Sequence, residues 1–289
     1  MDYKNRLGID LHIHSTASDG SLTPAEIIDH AQRLNLAAIA ITDHDSIYGS
    51  KEALRTGIPP SLKFLTGVEI SAAHPPFFPG SGSFHILGYC IRLDNYAFNQ
   101  TLNRLQQARK NRNPKILKRL NELGLKISLE DVNQTVANGQ LGRPHIAQAM
   151  IKMGFVESMD EAFDKFLGAG KPAYVDKDRI GCEEAIKIIR GAGGVPVLAH
   201  PALLNIDDDC QLDELIQNLI KIGMRGIEVY YPEHSSEQIQ HYTELADKYD
   251  LLMTGGTDFH GSITPKIEMG TGKGTLFIPY KLYEKLAND

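Results

Sequence analysis

Seven short apolar runs rich in β-branched residues, at positions 9–13, 37–41, 64–70, 84–89, 195–198, 226–229 and 251–254, alternate with stretches of helical periodicity. This alternation limits the fold more than any other feature, because repeated βα units build a mainly parallel sheet with helices packed on it. The intervening helices carry their own start signals. Thr23-Pro24-Ala25-Glu26 supplies an N-cap, a proline at the first helical position and an early acid ahead of the stripe Ile27, Ile28, Ala31 and Leu34. Further helices are expected at 183–190, 212–222 and 235–249. With 289 residues, the chain has room for one large α/β barrel or two ordinary domains.

From about residue 95 to residue 175 the strand signals stop, while Leu102, Leu105, Ile116, Leu117, Leu120 and Leu123 fall at helical spacing. The expected organisation is a barrel formed by 1–95 and 176–289, with a helical insertion at 96–175 lying over the active site. Strands are expected to resume only at Gly193-Gly194-Val195. Charge follows the same division. Between Tyr96 and His145 there are nine Lys or Arg against three acids, a local balance of +6 in a chain whose net charge is −6. An acidic body able to hold cations, joined to one basic segment, suits a phosphorylated substrate handled on metals. A solvated helical face would give the same count. The overall negative charge argues against binding long duplex nucleic acid.

No apolar run approaches the roughly 18–20 residues that span a bilayer, and residues 1–8 lack a signal-peptide core, so a cytoplasmic protein without membrane attachment is expected. Cys90, Cys182 and Cys210 form no CxxC pair and are expected to be reduced structural thiols.

Asp10-Leu11-His12-Ile13-His14 is the strongest local signal for chemistry. Alternate residues of a strand share a face, so His12 and His14 point the same way, as two imidazoles must to ligate one divalent ion. The other candidates are placed by the strands as well. Asp43-His44-Asp45 follows the second run, Glu69 ends the third, His85 enters the fourth, His200 follows the fifth, and Asp258-Phe259-His260 follows the last. In parallel α/β barrels the carboxyl ends of the strands converge on one face and build the active site. His85, near a strand start, fits that rule less well. Imidazoles bind borderline cations and a carboxylate can bridge two of them, which makes Glu69 the candidate bridge, while Asp19 is placed to join His44 and His260. Asp10 is read as a possible acceptor for a ligand imidazole, and Asp45 as a possible helix cap. His30, His74, His234 and His241 lack such placement and are read as ordinary histidines.

At these residues the sequence resembles the polymerase and histidinol phosphatase (PHP) family. The motifs that carry the resemblance are Asp10-Leu11-His12-Ile13-His14, Thr42-Asp43-His44, Gly67-Val68-Glu69, Leu198-Ala199-His200-Pro201 and Asp258-Phe259-His260. The resemblance implies a distorted (β/α)7 barrel with an inserted helical subdomain, holding two or three divalent metals, with manganese favoured and zinc or iron as alternatives. By analogy one metal takes His12, His14, Glu69 and Asp258, a second takes Glu69, His85 and His200, and a third takes Asp19, His44 and His260.

Asp19 stands where several relatives have histidine. With Thr16-Ala17-Ser18-Asp19-Gly20, Gly142-Arg143-Pro144-His145 and Gly170-Lys171-Pro172, it resembles a branch acting on nucleoside 3′,5′-bisphosphates, nucleotides and short RNA. The implied reaction is in-line attack on phosphorus by a metal-activated hydroxide held over His12, His14, Glu69 and Asp258. Arg143, His145 and Arg112 would bind the substrate phosphate. Three competing readings remain at this stage: a histidinol phosphate phosphatase, a metal-binding regulatory protein without turnover, and a polymerase-associated nuclease subunit.

Overall fold

The computed structural model describes residues 8–78, 82–134, 141–176, 179–206 and 208–289. The readings made for residues 1–7, and parts of those for the 74–83 loop and the helical insertion, lie outside the described residues. In chain order the elements are β1 (Ile9–Ile13), α1 (Pro24–Arg33), β2 (Ala38–Ile41), α2 (Tyr48–Thr56), β3 (Lys63–Ala73), β4 (His85–Tyr89) and α3 (Tyr96–Glu122). There follow α4 (Leu129–Asn133), α5 (Arg143–Lys152), α6 (Met159–Ala162), β5 (Ile180–Gly181) and α7 (Cys182–Gly191). The chain ends with β6 (Val195–Leu198), α8 (Asp209–Lys221), β7 (Gly226–Tyr230), α9 (Ser236–Lys248), β8 (Leu252–Gly255) and α10 (Tyr280–Ala287). The two-residue β5 appears before Gly193, earlier than the sequence predicted, and pairs with β3.

The main sheet runs in the order β1-β2-β3-β4-β6-β7-β8. β1, β2 and β3 are parallel to one another, as are β6, β7 and β8, while β4 is antiparallel to both β3 and β6. The two ends of the sheet then meet. Ile13 bridges Phe259, and the His14 N–H donates to the Phe259 carbonyl at 2.9 Å. Closure depends on Gly256, because a Cβ there would lie 2.1 Å from the Cβ of His12. The result is a nearly closed seven-stranded α/β barrel, as the sequence predicted.

Alternation along the strands explains the packing. On β2, Ile39 and Ile41 face Ile27, Ile28 and Ala31 of α1, while the small Ala38 and Ala40 join an apolar cluster with Leu11, Leu87, Tyr89 and Val197. Strands so far apart in the sheet share that cluster across the barrel interior, where the Tyr89 hydroxyl also donates to the Leu11 carbonyl at 2.9 Å. α1 starts at a capping box between Thr23 and Glu26, with Pro24 in its first turn. Phe98, Leu102 and Leu105 of α3 pack into the barrel's core, while Ile116 and Leu120 further along it join Ile146 and Met150 of α5, and Leu167 beyond α6, in a separate apolar cluster.

Candidate metal centre

Parallel strands deliver their last residues to one rim. His12 comes from β1 and His14 from just beyond it, Asp19 from the loop that follows, His44 from just beyond β2, His200 from beyond β6, and Asp258 and His260 from beyond β8. Glu69 lies within β3, and an isolated bridge from His44 to Glu69 draws the β2 loop against it. The antiparallel course of β4 accounts for His85. Because β4 runs the opposite way, its first residue lies at the rim where its neighbours end, next to Ser71 of β3.

All nine predicted residues come together. His14 Nε2 lies 3.0 Å from Asp258 Oδ1 and 3.2 Å from Glu69 Oε2, and His12 Nε2 is 3.5 Å from each of these oxygens. His44 Nδ1 is 2.9 Å from Glu69 Oε2. The other carboxylate oxygen of Glu69 faces His85 Nδ1 at 2.7 Å and His200 Nε2 at 3.0 Å. Asp19 sits 3.6–3.9 Å from His14, His44 and His260. Three sets are compact enough to share an ion: His12, His14, Glu69 and Asp258; His14, Asp19, His44 and His260; and His44, Glu69 and His85.

The donor atoms fit divalent cations. His12 Nε2, His14 Nε2, His44 Nδ1, Glu69 Oε2, Asp19 Oδ1 and Asp258 Oδ1 are all buried without a hydrogen bond of acceptable geometry, although they crowd within a few ångströms. Buried polar atoms are ordinarily paired, so a convergent set of unpaired ones marks a place for a ligand. Charge points the same way. Burial opposes ionisation of Glu69 and Asp19, yet His44 leads the neighbours that hold both far below the usual carboxylate range. Burial opposes ionisation of Asp258 as well, and His12 leads the neighbours that nevertheless hold it low. Burial also opposes a charged His14, but Asp258 and Glu69 keep its pKa up at about 10. At His85 burial prevails over Glu69 and the pKa falls to about 4. Ionised carboxylates, with imidazoles that give up their extra proton when a cation binds, make a set suited to manganese, zinc or iron.

Two contributors were missed at the sequence level. Glu228 is a lone acid in the apolar run of β7 and is completely buried; Oε1 meets His12 Nδ1 at 2.9 Å and Oε2 accepts the His200 N–H at 2.8 Å. A charge inside a fully apolar strand was the available signal. Tyr231 donates its hydroxyl to Asp258 Oδ2 at 3.1 Å. Two expectations are corrected. Asp10 accepts from the backbone of His12, Thr257 and Gly270 and from the Thr257 hydroxyl, serving the strand and not the imidazole. Asp45 does not cap α2, whose N-cap is Ile47; it pairs with Arg109 instead.

The α3–α6 segment reaches this rim at Gly142, where a Cβ would stand 3.7 Å from Asp19 Oδ2. His145 is buried, and its Nδ1 accepts the Gly142 N–H at 3.0 Å. Arg143 donates to the Leu167 carbonyl at 2.9 Å and lies over the rings of Phe163 and Tyr174. Arg112, the third residue read as a phosphate ligand, is 6% exposed and has no hydrogen bond or ion pair among the described residues. Burial, then Arg109 and Arg143, push its pKa down to about 9.

A family model described as the PHP domain matches residues 10–190, more than half of the chain. The chain belongs to the PHP-domain family. The PHP chain is 33% identical over 253 residues to the 3′,5′-nucleoside bisphosphate phosphatase of Chromobacterium violaceum, covering 87% of both proteins. It is 31% identical over 265 residues to the 5′-3′ exoribonuclease Rnm of Escherichia coli, covering 90% of this chain and 87% of the relative. A crystal structure from Bifidobacterium adolescentis, of a protein proposed to be a metal-dependent phosphoesterase, superimposes with a TM-score of 0.85 at 29% identity, over 98% of this chain and 96% of that one. This PHP protein is accordingly a phosphoric ester hydrolase with a divalent-metal site. Among the described residues, no helix is long and apolar enough to cross a membrane.

Proposed function

We propose that the protein hydrolyses phosphate esters of nucleotides, removing the 3′-phosphate of nucleoside 3′,5′-bisphosphates and accepting the phosphorylated end of short oligoribonucleotides. The observation that carries this reading is the cation-ready carboxylate–imidazole cluster, joined by a buried arginine, Arg112, that has no hydrogen bond or ion pair among the described residues. A substrate with two phosphoryl groups separated by a nucleoside has one group for each. The names of the Chromobacterium and Escherichia relatives agree with both substrate forms.

His12, His14, Glu69 and Asp258 would hold one ion, Glu69, His85 and His200 a second, and Asp19, His44 and His260 a third, with manganese favoured. Bound divalent cations supply Lewis acidity toward phosphoryl oxygens and lower the pKa of water. The chain contributes the remaining parts. Glu69 presents one oxygen toward His12, His14 and His44 and the other toward His85 and His200, so a single carboxylate spans neighbouring sites. Asp19, Glu69 and Asp258 offset the positive charge gathered there. Arg112 and Arg143 bind the non-reacting phosphate, where guanidinium forks match its oxygens. His145 accepts the Gly142 N–H on Nδ1, which places the proton of its neutral ring on Nε2.

Rates of phosphate release from adenosine 3′,5′-bisphosphate and from histidinol phosphate, each with manganese, test the assignment. The bisphosphate is expected to have the larger kcat/KM, and Arg143→Ala to raise its KM more than it lowers kcat. A preference for histidinol phosphate would transfer the assignment to that substrate. No release from any phosphate ester, with metal bound, would favour a regulatory role.

A further inference from the structure

We propose that Glu228 is a positioning residue that fixes the protonated nitrogen of His12 and the backbone of His200, so that both imidazoles are presented correctly to the metal centre. The inference rests on the reading of His12 and His200 as metal ligands.

Each carboxylate oxygen of Glu228 has a partner of its own. One meets His12 Nδ1 at 2.9 Å and the other accepts the His200 N–H at 2.8 Å. The ring nitrogen of His12 on the far side, Nε2, is the one facing Glu69 and Asp258. A carboxylate cannot donate, so Nδ1 must carry the proton and Nε2 keeps its lone pair for the ion. The second contact addresses backbone geometry. His200 has φ +26°, a left-handed conformation that a histidine rarely adopts, and the Glu228 bond holds its N–H there. Pairing in the sheet is interrupted beside both partners. β1 has one extra residue relative to β2 between Asp10 and Ile13, and β7 has one extra relative to β8 between Glu228 and Tyr230. Such bulges re-aim side chains, and here they flank the His12–Glu228 contact.

Glu228→Gln has a specific consequence. The His200 N–H is a fixed donor and claims the amide oxygen, which turns the amide NH2 toward His12. His12 Nδ1 must then accept, and its proton moves to Nε2, the nitrogen needed by the metal.

The test uses zinc as the probe ion on the full chain labelled with 15N-histidine. In the zinc-loaded wild type, long-range 1H–15N spectra are expected to show His12, identified by its loss in His12→Gln, protonated on Nδ1. Chelator competition is expected to show Glu228→Gln binding zinc roughly 10–100-fold more weakly, with an unchanged circular dichroism spectrum. His12 protonated on Nε2 in the wild type overturns the proposal even if the variant fails to fold. Wild-type zinc affinity in a folded Glu228→Gln also overturns it while leaving the metal reading intact. A wild type that binds no zinc overturns both.

Discussion

Arg109 of α3 and Asp45 of the loop after β2 form a buried ion pair, with Nη2 2.7 Å from Oδ2. The helical segment is thereby locked to the rim one residue from His44. Asp45 has φ +52°, its Oδ1 accepts the Ser71 N–H at 3.2 Å, and its carbonyl accepts from Gln106 Nε2 at 2.9 Å. One aspartate thus joins β3, α3 and the His44 loop.

Asp45→Asn is expected to destabilise the protein by about 3–5 kcal/mol, because it leaves the Arg109 charge buried and unpaired. Adding Arg109→Met should recover most of that loss. Urea denaturation of the two single variants and the double variant checks this, and strictly additive losses would contradict it.

Arg112 makes a different prediction, because it has no hydrogen bond or ion pair among the described residues. Arg112→Met is expected to raise the stability of the free protein by about 1–3 kcal/mol, the scale of an unsatisfied buried polar group. Inorganic phosphate should raise the Tm of the wild type but have much less effect on the variant. Equal phosphate shifts in thermal melts would remove Arg112 from the phosphate site.

The sequence made the site more legible than its surroundings, for physical reasons. His12 and His14 were readable because a strand repeats every two residues, and His44, His200 and Asp258 because each follows an apolar run. His85 fitted poorly because strand direction is a tertiary property: the run at 84–89 reads the same whether β4 lies parallel or antiparallel. Glu228 and Tyr231 were missed because their roles exist only once the β8 end of the sheet closes onto β1 and carries β7 within reach of it. The burial of Arg112 was not readable, because only packing shows which face of α3 is covered. The short β5, and helices α2 and α10, carry too little pattern to stand out from their neighbours.

Barrel closure gives a prediction of its own. Gly256→Ala would place a Cβ 2.1 Å from that of His12, so the strands must separate. Destabilisation of about 1–3 kcal/mol or more is expected, together with weaker metal binding. Gly191→Ala, where nothing lies within 4 Å, should stay within about 0.5 kcal/mol of wild type. Equal thermal stability of the two variants would contradict the close approach.

Tyr231→Phe removes the hydroxyl that donates to Asp258 Oδ2 and little else. A loss of about 0.5–1.5 kcal/mol in metal binding is expected, read as a few-fold weaker affinity in chelator competition. Unchanged affinity would show that Asp258 is held in place without it.

The account depends most on the cluster of His12, His14, Glu69 and Asp258 binding a cation. Anomalous scattering from crystals soaked in manganese measures this directly. A peak within about 2.0–2.3 Å of His12 Nε2, His14 Nε2 and the facing oxygens of Glu69 and Asp258 is predicted, and it should disappear in Asp258→Ala. A wild-type map with no peak among these four residues would contradict the account.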